Sequence, residues 1–89
     1  MAKKTVLFKS KEIKDLAGVA AFLRQLADKV EGGTLVFQQG ENTVEIQLPA
    51  NVRLEVDADI KPKKRTTKRS LEIEIEWSDG EQRAPLKLA

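Results

Sequence analysis

In Arg69-Ser70-Leu71-Glu72-Ile73-Glu74-Ile75-Glu76-Trp77, polar and apolar side chains alternate without a break from Ser70 to Trp77. A period of two puts Leu71, Ile73, Ile75 and Trp77 on one face of a strand and the three glutamates on the other. Reading back toward the N-terminus, the same period runs from Val52 to Ile60, with Val52, Leu54, Val56, Ala58 and Ile60 in the apolar phase. It runs again from Thr43 to Leu48 (Val44, Ile46, Leu48) and from Thr34 to Gln38 (Leu35, Phe37). The spacing therefore predicts four strands, the last over Ser70 to Ser78. Gly40-Glu41-Asn42, Pro49-Ala50-Asn51 and the neighbourhood of Pro62 carry turn residues between them. Connections this short imply consecutive antiparallel pairing, a meander.

Upstream of the first strand the period changes. Leu16, Val19, Ala20, Leu23, Leu26, Ala27 and Val30 recur every three or four residues and form one face of a helix. Asp15 is placed to cap its start, and Gly32-Gly33 supplies a left-handed stop. Gly18 sits near the start, where its helix penalty of about 1 kcal/mol is least harmful. Thr5 to Phe8 has the character of a further strand. The expected fold is α+β: one helix packed on a four- to five-stranded antiparallel β-meander, a two-layer sandwich. The expected domain is single, residues 1–89, with residues 1–4 and 80–89 loosely ordered.

Composition narrows the function. The 89 residues contain neither cysteine nor histidine, which excludes disulfides, thiolate chemistry and the two commonest zinc ligands. The longest apolar run, Leu16 to Leu23, is too short for a membrane span, and Thr5 to Phe8 is too short for a signal-peptide core, so a cytoplasmic location is expected. Folding a chain of this length buries roughly 60–65% of its unfolded surface, a margin that leaves both monomer and homodimer open. Ser10, Ser70 and Ser78 lack a histidine to activate them, and the glycine pair follows the helix instead of preceding it as a phosphate-binding loop would. No catalytic residue, cofactor site or metal site is expected, and the chain is not read as an enzyme.

Charge is 34% of the chain and sums to only +2, but it is sorted. If Ile60 stands opposite Leu71, Asp59 faces Glu72, Asp57 faces Glu74 and Glu55 faces Glu76; a shift of two residues preserves the pattern. Glu45 on the second strand adds a seventh carboxylate, and Arg53 offsets part of the repulsion. This face reads in three ways: a solvated surface whose repulsion prevents stacking, a docking surface for a basic protein, or a calcium-type site. The last lacks the Asp/Asn-Gly loop spacing of calcium motifs.

Between the third and fourth strands stand Lys61, Lys63, Lys64, Arg65, Lys68 and Arg69, with Thr66 and Thr67 among them. As a hairpin loop, this segment is the candidate contact for nucleic acid or another polyanion. Without aromatic residues to stack on bases, such binding is expected to be weak and salt-sensitive. Lys3, Lys4, Lys9, Lys11 and Lys14 extend the patch if the N-terminal segment lies beside it.

The strand Arg69 to Trp77, the basic stretch before it, and Ala21-Phe-Leu-Arg-Gln-Leu-Ala-Asp-Lys29 with its following glycines together resemble the amphi-Trp domain family. These are small prokaryotic proteins named for the amphipathic strand and its tryptophan. The resemblance implies the fold and its boundaries but no activity, and it carries no functional residues. From its phase, Trp77 is expected beneath the helix or, at the strand end, as an anchor at the sheet edge. Phe37 reads as core and Phe22 as the margin of the helix stripe. The function expected is a small non-catalytic binding or adaptor module engaging a macromolecule through its charged surfaces. Polyanion binding through residues 61–69 and self-association through strand edges are the alternatives.

Overall fold

A computed structural model describes residues 3–79 and 88. The expectation of loose order over residues 80–89 therefore falls, except for Leu88, outside the described residues, as do Met1 and Ala2. The order of elements is α1 (Leu16–Gly32), β1 (Thr34–Gln39), β2 (Asn42–Gln47), β3 (Arg53–Pro62) and β4 (Thr67–Glu76). The class is α+β, and every strand pair is antiparallel. The strands form two two-stranded sheets, β1–β2 and β3–β4, within compact units of residues 1–50 and 51–89. The single four- to five-stranded sheet expected from the short connections is thus replaced by two hairpins.

In the first unit, α1 starts and stops where its end residues dictate. The Asp15 carboxylate accepts the Gly18 amide at 2.7 Å, satisfying a donor that the first turn leaves free. A Cβ on Gly18 would lie 3.0 Å from that same oxygen, so the glycine gives the cap its room. Gly33 ends the helix with φ 83° and returns its amide to the Val30 carbonyl at 3.0 Å. The chain then reverses directly into β1. Gly40, with φ 61°, takes the first central position of a two-residue turn between Gln39 and Asn42, as a type II′ hairpin requires. Leu48 donates to the Gly33 carbonyl at 2.8 Å and extends the ladder beyond the last strand pair.

α1 packs on β1. The alternation read from the sequence is realised: Leu35 is buried at 7% exposure, and Phe37, Val44, Ile46 and Leu48 are half-buried with Leu26 and Val30 of the helix. Residues 3–15 carry no ladder, so Thr5 to Phe8 is not a strand. Side chains hold this segment instead: Gln39 Nε2 donates to the Lys9 carbonyl at 2.8 Å, and Asn42 Nδ2 to that of Leu7 at 3.3 Å. Phe8 rests on Phe37 with ring centroids 4.7 Å apart. A two-stranded hairpin is marginal alone in water, and the helix and this aromatic contact supply the missing apolar cover.

In the second unit, β3 and β4 form a ten-by-ten-residue ribbon. Its apolar face is exposed: Leu54, Val56, Ile60, Leu71 and Ile73 keep between 55% and 68% of their surface open, while Ile75 and Trp77 are half-buried. β4 starts three residues earlier than the alternation suggested and ends at Glu76, so Trp77 stands just past the ladder.

Candidate functional site

Apart from Glu45 and the N-terminal lysines, the β3–β4 hairpin gathers the charged positions singled out from the sequence. The register pairs Arg53 with Glu76, Glu55 with Glu74, Asp57 with Glu72, Asp59 with Ser70, and Lys61 with Lys68. Relative to the pairing of Ile60 with Leu71 considered above, the strands are shifted by two residues, and Ile60 faces Arg69. Electrostatics favours the observed choice. Two facing carboxylate pairs remain instead of three, Asp59 meets a neutral hydroxyl, and Arg53 is brought opposite an acid.

The turn reinforces that choice. The Lys63 amide donates to the Thr66 carbonyl at 2.7 Å, closing a loop of four residues, 63–66. Counting back in steps of two, Lys61/Lys68, Asp59/Ser70, Asp57/Glu72 and Glu55/Glu74 occupy hydrogen-bonded sites, where Cα atoms are about 5.5 Å apart. Leu54/Ile75, Val56/Ile73 and Ala58/Leu71 fall at the closer sites, about 4.5 Å apart. Like charges thus take the wider spacing and apolar pairs the tighter one. Pro62 faces Thr67 at a site whose N–H points away from the partner strand, so its missing donor costs no ladder bond.

The polar face is therefore graded along its length. Arg53 lies at one end, and its guanidinium meets Glu55 Oε1 at 2.6 Å and Glu76 Oε1 at 4.0 Å. Glu76 stands opposite it at that end, and Glu55, Asp57, Asp59, Glu72 and Glu74 fill the middle. Lys61 and Lys68 begin the basic tip, about 27 Å from Arg53 at some 3.4 Å per residue. Lys63, Lys64 and Arg65 occupy the loop, and Arg69 falls in the apolar phase beside Ile60. The segment 61–69 is accordingly not one loop. Four of its residues turn, and Lys61, Lys68 and Arg69 are fixed on strands.

Glu45 is not gathered there: it belongs to β2, faces Val36, and takes a long hydrogen bond of 3.5 Å from Gln47 Nε2. Glu55, Glu74 and Glu76 bring one carboxylate oxygen each within 4.8 Å of the others, a grouping the sequence pattern did not single out because it depends on register. Arg53 brings positive charge to two of them, Glu55 and Glu76. The N-terminal lysines belong to the first unit. Among them, Lys14 pairs with Glu12 at 2.8 Å, and that hydrogen bond holds the Glu12 carboxyl below its ordinary range. No helix among the described residues is long and apolar enough to cross a membrane.

With this geometry in place, comparison with known proteins is informative about family alone. The family model described as the Amphi-Trp domain matches residues 1–89, and the chain belongs to that family. No curated protein and no solved structure matches it.

Proposed function

We propose that this member of the Amphi-Trp family is a non-catalytic binding module whose working element is the β3–β4 ribbon, with a basic segment of another protein as its partner. The observation that carries the reading is the sorting of charge along one face, carboxylates in the middle and cations at the tip. Such a gradient steers and orients an oppositely graded partner. The carboxylates oppose their own strand pairing, and a bound cationic segment relieves that cost. The exposed aliphatic face behind them adds contact area of the kind that marks interaction surfaces.

Polyanion binding at the tip is the second reading, favoured by Lys61, Lys63, Lys64, Arg65, Lys68 and Arg69. Its reach is short. Asp59 lies two residues from Lys61 on the same face, about 7 Å away, and repels any phosphate track that continues past the tip. A single strand gripped there has room for only a few phosphates and would lose affinity with salt at a slope of about 0.7 per phosphate.

Amide shifts of the ¹⁵N-labelled protein, followed during titration with a lysine-rich amphipathic peptide and separately with a mixed-sequence oligonucleotide, test both readings. Peptide-induced shifts at Glu55, Asp57, Glu72 and Glu74 that persist at physiological salt support the binding module. Oligonucleotide shifts at residues 61–69 that persist there, with none from the peptide, would replace it with the second reading.

A further inference from the structure

One edge of β1 is left without a ladder partner among the described residues. Because Gly33/Leu48 and the turn pair Gln39/Asn42 lie in phase, Leu35, Phe37 and Gln39 direct their backbone groups toward β2. Thr34, Val36 and Gln38 direct theirs to the other side, and among the described residues no backbone partner meets them there. Open edges are ordinarily defended by charge, proline or a bulge. Thr34-Leu-Val-Phe-Gln-Gln39 has none of these, and Val36 at its centre is 59% exposed.

Beside this edge runs a groove of about 450 Å³ between α1 and β1, lined by Phe22, Leu26, Leu35, Phe37 and, at its rim, Asp28 and Lys29. Phe22, on the margin of the helix stripe, keeps 48% of its surface open. An added strand would therefore find main-chain donors and acceptors, an apolar channel, and rim charges that cancel.

We infer that the occupant is the β1 strand of a second copy, joined antiparallel about a two-fold axis through Val36. Three matches within the strand select a second copy. In this register Val36 faces its own counterpart, Thr34 faces Gln38, and Leu35 faces Phe37, so polar meets polar and apolar meets apolar from Thr34 to Gln38. No charged residue of the strand meets its like, in contrast to β3, where Glu55 and Asp57 would oppose acids in most registers. The result is a four-stranded β2-β1-β1-β2 sheet carrying two helices on one face, an isologous closed contact. The five residues paired in this register, at about 3.4 Å each, give a contact about 17 Å long. A strand layer and a helix make it about 15 Å deep. The footprint, roughly 250 Å² per copy, lies well below the roughly 1,000 Å² in total that a stable interface clears, so the dimer is weak, forms only as concentration rises and is not obligate. The inference rests on the helix-bearing unit alone and does not depend on the charge of β3–β4.

Sedimentation equilibrium from about 10 µM to about 1 mM, paired with amide hydrogen exchange over the same range, tests it. The expected result is a mass rising toward that of a dimer while the amides of Thr34, Val36 and Gln38 gain about tenfold in protection and those of Leu35 and Phe37 stay protected throughout. Val36→Pro removes an outward donor without breaking a β1–β2 bond, and Val36→Lys sets like charges face to face on the axis. Both should hold the protein monomeric at about 1 mM with circular dichroism unchanged, whereas Glu41→Lys, at the turn, should leave the dimer intact. A monomeric mass at about 1 mM overturns the inference. So does a dimer that survives both Val36 variants, or one in which the edge amides gain no protection.

Discussion

Glu72→Lys should stabilise the protein, although it replaces a residue of the alternation that marks the fold. Glu72 stands opposite Asp57, with Glu55 and Asp59 on its two diagonals. Facing like charges oppose pairing by a few tenths to about 1 kcal/mol, and facing opposite charges favour it by a similar amount. The wider hydrogen-bonded spacing keeps each contribution in the lower half of that range, while the diagonal acids add to the gain on substitution. The net swing is about 1 kcal/mol at low ionic strength. For a chain of this size that raises the melting midpoint by about 4–8 °C. At about 1 M salt the screening length falls to about 3 Å, and most of the gain should vanish. Thermal melts followed by far-ultraviolet circular dichroism and by Trp77 emission, at low and high salt, read the effect. Glu72→Gln should give roughly half of it. A lower midpoint for a correctly folded Glu72→Lys protein at low salt, or a gain unaffected by salt, would refute the assigned register. The same substitution should weaken binding of the lysine-rich peptide, because the proposed contact and the pairing cost come from the same carboxylates.

Two further substitutions test the first unit. Asp15→Ala removes the acceptor for the Gly18 amide and should cost about 1 kcal/mol in urea denaturation, with helix content falling first at residues 16–19. Gly40→Ala forces a side chain into φ 61° at the hairpin turn and should cost about 1–2 kcal/mol, with the Gln39/Asn42 cross-strand contact weakened in nuclear Overhauser spectra.

How much was legible in the sequence depended on whether the relevant interaction was local. The helix ends could be read at Asp15 and Gly33 because a cap and a left-handed stop involve neighbours only. The apolar phase of every strand could be read because a period of two survives any register. Register itself is not local: the two-residue shift in β3–β4 follows from where Arg53 meets Glu76 and how four loop residues close, which alternation alone leaves degenerate. Thr5 to Phe8 misled for a related reason. Its composition suits a strand, yet the groups that meet it are the Asn42 side chain and the Phe37 ring, with Gln39 holding Lys9 just beyond, and none of these creates a backbone ladder. The basic segment read as one loop because charge conceals the pairing of Lys61 with Lys68 and of Pro62 with Thr67. Among the candidate site residues, only Glu45 was grouped by phase with acids that lie on a different hairpin.

The two hairpins handle the liability of open edges in opposite ways, and the contrast bears on function. β3 and β4 alternate charge along their whole length, with Pro62 near the turn, so a foreign strand added at either edge meets acids in the middle or cations at the tip. Such a ribbon offers its faces and protects its edges. β1 carries no charge and no proline, and its outward backbone groups lie beside an apolar groove. Simple protection against aggregation would place charges on both hairpins, since one undefended edge is enough to nucleate association. On the two proposals above, leaving β1 neutral while β3–β4 bears facing carboxylates would divide the labour: a symmetric contact through backbone at β1, and a charge-graded face on the ribbon for a different partner. That division predicts that Val36→Lys and Glu72→Lys act independently, the first abolishing the dimer without changing peptide binding and the second doing the reverse.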